Sequence, residues 1–487
     1  MLYLLTILFP VSLAAMCYVL RQRSALIILL ALCGLLAQVV LVTGIPLESP
    51  VRLLGVTLDL NPLTQLFLII FLIVLALAFI AAWNLPHGEN YVPVALLLVS
   101  LVSTILLLQD PFIVSLLLVS ASLAAVLALV DLPTGAGRLL TTRVLATALK
   151  YLTMMILAGV LTYLSYVLVD VYRPGEAPGR IPLARFILAL LTVGFALRLA
   201  LIPFHTWLPD MVEDAAPLVS ALVLTVINTT SLLVLVLTFQ RFPILLVENE
   251  TGLVFLRIGA ILTVLFGGLL ALTQTDMRRT LGYLLIYGSG MVFYGLVSAS
   301  PLGLTGALFE ALNQVLAITL IFISLALVER PDGRPPLPDG QPRRDLLRRW
   351  PVGSLGLIGG GLGAAGGASP LIGFASKLLL YQTAANQGWF ELLLLLLATL
   401  LAGLGLLRLL RDRFLGAGEG ESTAEPLLLG ETEADRPTAR RLEQEPRSTA
   451  LVALLLFIAC LGIGIYPQPI LNLIGEVIRG LTFVRIL

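Results

Sequence analysis

Five ionisable side chains stand inside apolar runs: Lys150 in ALKYLTMM, Arg198 and His205 in LRLALIPFHTWLPD, Glu310 in GALFEALNQ and Lys377 in GFASKLLLY. Taking an ionised group to the centre of a bilayer costs at least about 2.5–3.5 kcal/mol, so each is a candidate for holding or passing charge. The chemistry open to such a set is proton binding and release. Burial readily depresses a lysine pKa and raises that of a carboxylic acid, and histidine titrates near neutrality. Arginine differs, because a guanidinium in practice keeps its proton. His205 has two readings, a titrating group or a hydrogen-bond partner for a carbonyl freed by the neighbouring Pro203. Arg257, Glu391 and Arg408 lie near the ends of apolar runs, where long side chains reach the interface and need no functional explanation.

The elements that must position these residues are membrane helices. The chain has 487 residues, 59% hydrophobic and 12% charged, against roughly 45–50% and about 25% for a soluble domain. Runs of about 20 apolar residues recur along nearly its whole length, which predicts an all-α polytopic membrane protein with about fourteen transmembrane helices. They run from residues 2–20 to 450–467, with the seventh at 186–204, the eighth at 217–240, the eleventh at 303–328 and the twelfth at 353–384. The first run, MLYLLTILFPVSLAAMCYVL, has no basic residue ahead of it and reads as the first helix, not a cleaved signal. A net charge of +1 without a basic patch excludes nucleic acid as a partner. Cys17, Cys33 and Cys460 fall singly in apolar runs, as packing residues do.

Arginines sort the loops. Arg21 and Arg23, Arg138 and Arg143, Arg278 and Arg279, the basic stretch 330–350 and the charged stretch from Arg411 fall on one side if loops alternate. The positive-inside rule then places both termini outside, in an inner or cytoplasmic membrane, or a thylakoid one. Residues 411–449, of mixed charge, read as a flexible cytoplasmic loop. The tail YPQPILNLIGEVIRGLTFVRIL fits either a surface helix or a partial packed helix.

Two helices carry breaks with a charge nearby. Pro203 interrupts the seventh, five residues after Arg198; glycines and Pro370 interrupt the twelfth, seven residues before Lys377. Proline and glycine are common in membrane helices, yet paired breaks in corresponding halves point to an inverted repeat with an ion path between. The predicted organisation is N-terminal helices over 1–90, a first five-helix repeat over 91–240, a second over 241–410, the charged loop 411–449, and a C-terminal helix and tail over 450–487. Gly361, Gly363 and Gly366 satisfy GxGxxG, but no strand precedes them and no acid follows about 20 residues later, so no dinucleotide site is expected. Neither a cofactor nor a metal is expected in this chain.

With these residues in view, the chain resembles the antiporter-like subunits of respiratory complex I, the proton-pumping NADH:quinone oxidoreductase, which are related to the large subunits of Mrp-type sodium/proton antiporters. PFHTWLPDMVEDAAPLVSAL at 203–222 carries the resemblance, supported by ALKY at 148–151, TDMRRTLGY at 275–283, ALFEALNQVLAITLIF at 307–322, LLRRWPVGSLGLIGGGLGAAGGASPLIGFASKLLLY at 346–381 and GIGIYPQPIL at 462–471. It implies a half-channel in each repeat, joined by a line of charged and polar residues at mid-membrane. The family's seventh-helix lysine corresponds to Arg198, its twelfth-helix lysine or glutamate to Lys377, and a sixth-helix lysine to Lys150. Other positions depart from it: the fifth-helix glutamate falls on Val119, the eighth-helix lysine on Asn228 or Thr229, and eleventh-helix charges on Gln314 and Ile318, while Glu310 adds an acid.

The resemblance implies a membrane-arm subunit of a proton-translocating NADH/quinone or ferredoxin/quinone oxidoreductase. Quinone, NADH or ferredoxin would be met only through partner subunits. Two alternatives stay open: a non-pumping structural or relay subunit of the same complex, and an Mrp-type sodium/proton antiporter subunit. In the pumping reading Lys377 and Glu310 form the altered path, with water held by Asn228, Thr229 and Gln314; Lys150 and His205 remain separate candidates. Arg198 is a permanent charge that needs a partner, for which Glu310 is one candidate. Asp210, Glu213 and Asp214 follow as a proton-collecting entrance or as an ordinary solvated loop.

Overall fold

A computed structural model describes residues 1–53, 55–131, 142–172, 181–243, 245, 249–329, 347, 350–366, 369–415 and 445–481. Apolar runs in lipid must satisfy their own backbone groups, and the α-helix does so within one segment. The chain accordingly folds as α1 (Leu2–Val19), α2 (Ser24–Gly44), α3 (Pro62–Ala82), α4 (Tyr91–Leu107), α5 (Pro111–Val130), α6 (Thr142–Tyr172) and α7 (Ile181–Arg198). A short α8 (Trp207–Asp214) follows, and then α9 (Pro217–Arg241), which contains a π-turn at Val223–Ile227. The second half holds α10 (Glu250–Thr273), α11 (Met277–Val297), α12 (Pro301–Val328), α13 (Pro351–Ala365), α14 (Ile372–Gln387), α15 (Trp389–Leu410), α16 (Arg447–Ile465) and α17 (Gln468–Arg479).

Among the described residues 11 helices are long and apolar enough to cross a membrane, and α4 and α13 are shorter apolar helices. The expectation of about fourteen differs from that number at these shorter helices and at the breaks, where one crossing is shared between two pieces. The sequence reading contained no strands, but Val51–Leu53 pairs antiparallel with Val56–Leu58, with Leu53 opposite Val56. Gly55, at φ +84, supplies the left-handed residue of the turn. The tail helix α17, 12 residues long, is too short to cross; it buries Ile474, Val477 and Ile478 and packs on α12 and α3. Of the predicted loop 411–449, residues 416–444 lie outside the described residues, while Arg411–Leu415 extend α15 as a π-turn and 447–449 already belong to α16; most of 330–350 also lies outside.

Burial ranks the helices. The apolar stretches of α9, α11 and α12 are 89%, 94% and 94% buried, whereas those of α15 and α16 are 28% buried. The first three form the centre and the last two the rim. In lipid, helices gain little from hiding leucine from leucine, so close approach depends on small residues. Gly267 of α10 shows it: a Cβ there would stand 2.6 Å from the Tyr287 backbone nitrogen of α11. Polar groups complete the helix ends. Asp110 caps α5 by accepting from the amides of Phe112 and Ile113, and Glu445 caps α13 from far along the chain by accepting from Val352 and Gly353 at 3.2 and 2.9 Å. Each break falls in the fourth of five successive crossings, α7/α8 in the series from α4 to α9 and α13/α14 in the series from α10 to α15.

Candidate functional site

The second break builds a charged pair. Helix α13 ends at Ala365, Gly366 turns left-handed at φ +73 with its N–H donating to Leu362, and α14 begins at Ile372 beyond the cis Ser369–Pro370 bond. A helix end leaves carbonyls without partners. One of them, Ala364, accepts from Lys377 Nζ at 2.9 Å, and the same Nζ donates to Glu310 Oε1 at 2.9 Å. Both side chains of the pair are 0% exposed. Glu310 Oε2 accepts from the Ser376 hydroxyl and from Asn313 Nδ2 at 3.1 Å, and Asn313 Nδ2 also donates to the Gly363 carbonyl. The ring of Tyr287 lies 5.5 Å from Nζ. A Cβ on Gly366 would meet Lys377 Cδ at 2.0 Å, so the lysine reaches its acid across this glycine. The pair can hold one charge of each sign, give up a proton to leave a neutral amine beside the carboxylate, or accept one to leave a neutral acid beside the ammonium.

The first break builds a lone cation. Helix α7 stops at Arg198, Leu201 donates to Ala196, Ala200 takes φ +53, and the chain passes the cis Ile202–Pro203 bond before α8. Groups freed here find partners: the Leu197 carbonyl accepts from Trp207 Nε1 at 2.9 Å, and the Ile202 amide donates to Thr263 Oγ1 at 3.2 Å. Arg198 is 1% exposed. Its Nη1 donates to the Leu118 carbonyl and to Ser122 Oγ, both at 3.4 Å, and touches the Met155 sulfur at 4.0 Å. Its Nε and Nη2 have no partner among the described residues. Val119 stands where an acid would answer this charge. Its Cγ2 and Arg198 Nη2 lie 2.2 and 3.7 Å from the point where Gly159 would carry a Cβ.

The structure redistributes the predicted residues. Glu310 does not face Arg198 as a counter-charge, because Lys377 and the turn around it occupy both carboxylate oxygens. Lys150 is not fully buried. Its side chain is 34% exposed and its Nζ binds Asp210 of α8 at 2.7 Å and the Thr206 carbonyl at 3.1 Å, two turns into α6. Asp210, Glu213 and Asp214, read as either a proton-collecting entrance or a solvated loop, belong to the helix α8 and join Arg143, Arg279 and Thr147 in a charged cluster. His205 sits half-buried against the Tyr283 ring, its Nδ1 without a hydrogen-bond partner.

The predicted and newly found polar groups on α9 and on α12 after Glu310 are uncharged. Asn228 and Thr229 follow the π-turn of α9, and within that turn Thr225 shares a 3.4 Å hydroxyl contact with Thr319 of α12. A π-turn inside an α-helix often marks a functional site. Gln314 is one turn from Glu310 along α12; Gly288 leaves room for its amide, and its Nε2 is buried without a partner. Ile318 is core at 4% exposed. Sequence reading missed Asn313, Ser376, Thr225, Thr319 and the Ala364 carbonyl. Asn313 stands three residues after Glu310, on the same helical face, and was legible in principle; the Ala364 carbonyl is set free only by the position of the break. Among the described residues no cluster of three or more His, Cys, Asp or Glu is placed to hold a metal ion.

Residues 177–402, which include both breaks, match the family described as NADH:quinone oxidoreductase/Mrp antiporter, TM. The chain is 28% identical over 334 residues to NADH-quinone oxidoreductase subunit N 2 of Solidesulfovibrio magneticus, covering 68% of this chain and 65% of that protein. It is 32% identical over 215 residues to the protein of the same name from Opitutus terrae, 44% of this chain and 43% of the relative. With the F(420)H(2) dehydrogenase subunit N of Methanosarcina mazei the figures are 28% identity and 46% of each chain. The matched stretch thus spans about half to two thirds of these relatives. In fold, the chain superposes over 99% of its length on a chain of the Mrp complex from Dietzia sp. DQ12-45-1b, with TM-score 0.79 at 19% identity and 98% of that chain covered. For respiratory complex I from Thermus thermophilus with bound NADH the TM-score is 0.72 at 21% identity, covering 100% of this chain and 99% of the other.

Proposed function

Because residues 177–402 match the transmembrane family shared by NADH:quinone oxidoreductases and Mrp antiporters, we propose that the chain is a membrane-arm subunit of a proton-translocating quinone oxidoreductase. Electron transfer from NADH or ferredoxin to quinone takes place in partner subunits, and this chain, a multi-pass membrane protein, contributes proton translocation. The observation that carries the reading is the fully buried Lys377–Glu310 pair at the second break. An ion pair closed off from water responds strongly to a neighbouring charge, because the local dielectric screens it little. A charge arriving from the next subunit shifts the proton affinity of the pair, which loads or releases one proton. The amides of Asn313 and Gln314, the Thr319–Thr225 contact and the side chains of Asn228 and Thr229 hold the water that links the pair to the rest of the bundle. The Lys150–Asp210 cluster serves as the entrance from the cytoplasmic side, with both termini on the opposite side of an inner, cytoplasmic or thylakoid membrane.

Arg198 is a fixed charge in this scheme. It biases the proton affinity of the path without joining it, since a guanidinium keeps its proton. That asymmetry favours a second reading, in which the first repeat acts as an electrostatic relay or scaffold and this chain pumps nothing itself. The two separate on one experiment. The complex carrying Lys377→Met together with Glu310→Gln, which leaves no stranded charge, is expected to assemble and, reconstituted in vesicles, to lose proton transfer while redox turnover persists. Unchanged pumping overturns the first reading in favour of the relay. A chain that purifies alone and exchanges sodium for protons points instead to an Mrp-type antiporter.

A further inference from the structure

The two broken helices hold their charges differently. Lys377 has Glu310 at 2.9 Å, whereas no carboxylate of the described residues comes within 4 Å of Arg198, whose Nε and Nη2 are buried without a partner. A buried cation with an acid beside it is neutral as a unit; one without must draw its counter-charge from elsewhere. Among the described residues its hydrogen-bond partners are neutral, the Leu118 carbonyl and the Ser122 hydroxyl, which itself donates to Leu118, and Val119 and Gly159 lie close by.

A second cation marks a way in. A cavity of about 260 Å³ opens among the ends of α4, α5 and α9, lined by Asn61, Gln109, Tyr166, Thr238 and Arg241. Arg241 Nη2 donates to the neutral Gln109 Oε1 at 2.7 Å and makes no carboxylate contact within 4 Å among the described residues. The nearby acid, Asp110, uses a carboxylate oxygen to cap α5. Tyr166, hydrogen-bonded to Thr238 at 2.8 Å, forms part of the cavity wall. Its helix, α6, also carries Met155 and Gly159, which lie beside the Arg198 guanidinium, so one helix borders both the cavity and the buried cation.

We infer that Arg198 is the inner end of a binding site for a small monovalent anion, which enters by way of the Arg241 cavity and neutralises the first repeat as Glu310 neutralises the second. The inference does not depend on whether the chain pumps protons. Chloride is the probe, with gluconate, a bulky hydroxylated carboxylate, as the matched control at constant ionic strength. The intact complex in detergent is expected to melt about 2–4 °C higher in saturating chloride than in gluconate, with a saturable dose response. Bromide is expected to replace chloride and to give anomalous scattering beside Arg198. Val119→Glu supplies a tethered carboxylate at the same place and should abolish the chloride response while leaving the complex at least as stable; Arg198→Gln should abolish it too. Equal melting of the native complex in both salts overturns the inference. So does a chloride response that survives in Val119→Glu, or a neighbouring subunit's carboxylate found against Arg198.

Discussion

At the scale of the residue, a buried ion pair is weak evidence for stability and strong evidence for commitment. Bringing Lys377 and Glu310 out of water costs much of what their attraction returns, yet removing either partner alone strands the other. Glu310→Gln should therefore destabilise the protein by about 3–5 kcal/mol, since the buried ammonium keeps only neutral acceptors, the Ala364 carbonyl and an amide oxygen. Combining it with Lys377→Met should recover most of that loss, because no charge is left to solvate. Thermal melts separate the two effects from transport: the double variant is expected to fold and to pass no protons. A double variant as unstable as the single one would mean that the fold needs the pair for reasons other than charge. Arg198 poses the converse problem, a permanent charge in a site whose acid has become Val119.

At the scale of the element, the breaks do the positioning. A continuous helix would bond Ala364 within itself and keep Lys377 on its own surface. Ending α13 at Gly366 frees the carbonyl and lets the lysine cross the backbone. Gly366→Ala places a Cβ 2.0 Å from Lys377 Cδ at a φ of +73, which should cost about 1–3 kcal/mol and push the ammonium away from Glu310. Melting and proton transfer should fall together. Gly403→Ala is the control: it sits in α15, where an added Cβ meets nothing within 4 Å, and should be neutral or slightly stabilising. If both variants behave alike, Gly366 is no more than a helix end. The π-turn of α9 belongs to the same class of device, a local change of pitch just before Asn228 in one of the most buried helices.

At the scale of the whole molecule, charge is segregated. Among the described residues, one fully buried pair and one lone guanidinium sit within, and clusters such as Lys150–Asp210 and Arg143–Glu213 gather around α8. The loop between α3 and α4 carries the group through which acid should weaken the fold. Burial holds the His87 imidazole below histidine's ordinary range, opposed in part by the charge of Asp131. The unfolded chain therefore takes up a proton at higher pH than the folded one. Stability contributed by neutral His87 is complete above about 6.5 and is lost as pH falls from there toward the folded value. Melting temperature should drop across that window, and His87→Gln should flatten the drop. Parallel curves for the two proteins would assign the acid sensitivity to other groups.

Membership of the membrane class, the helices, both breaks and five charged candidates were all readable along the chain, because hydropathy, proline and glycine act through local backbone physics that needs no knowledge of neighbours. Pairing was not. Whether Glu310 answers Arg198 or Lys377 depends on which helices meet in the centre, and Lys150 reads as membrane-buried until the fold brings Asp210 of α8 beside it. Val119 illustrates both sides. Its identity was plain in the sequence, but only packing against Gly159 and Arg198 shows that the missing acid leaves a buried charge unanswered, since a counter-charge is defined by distance in space and not by position along the chain.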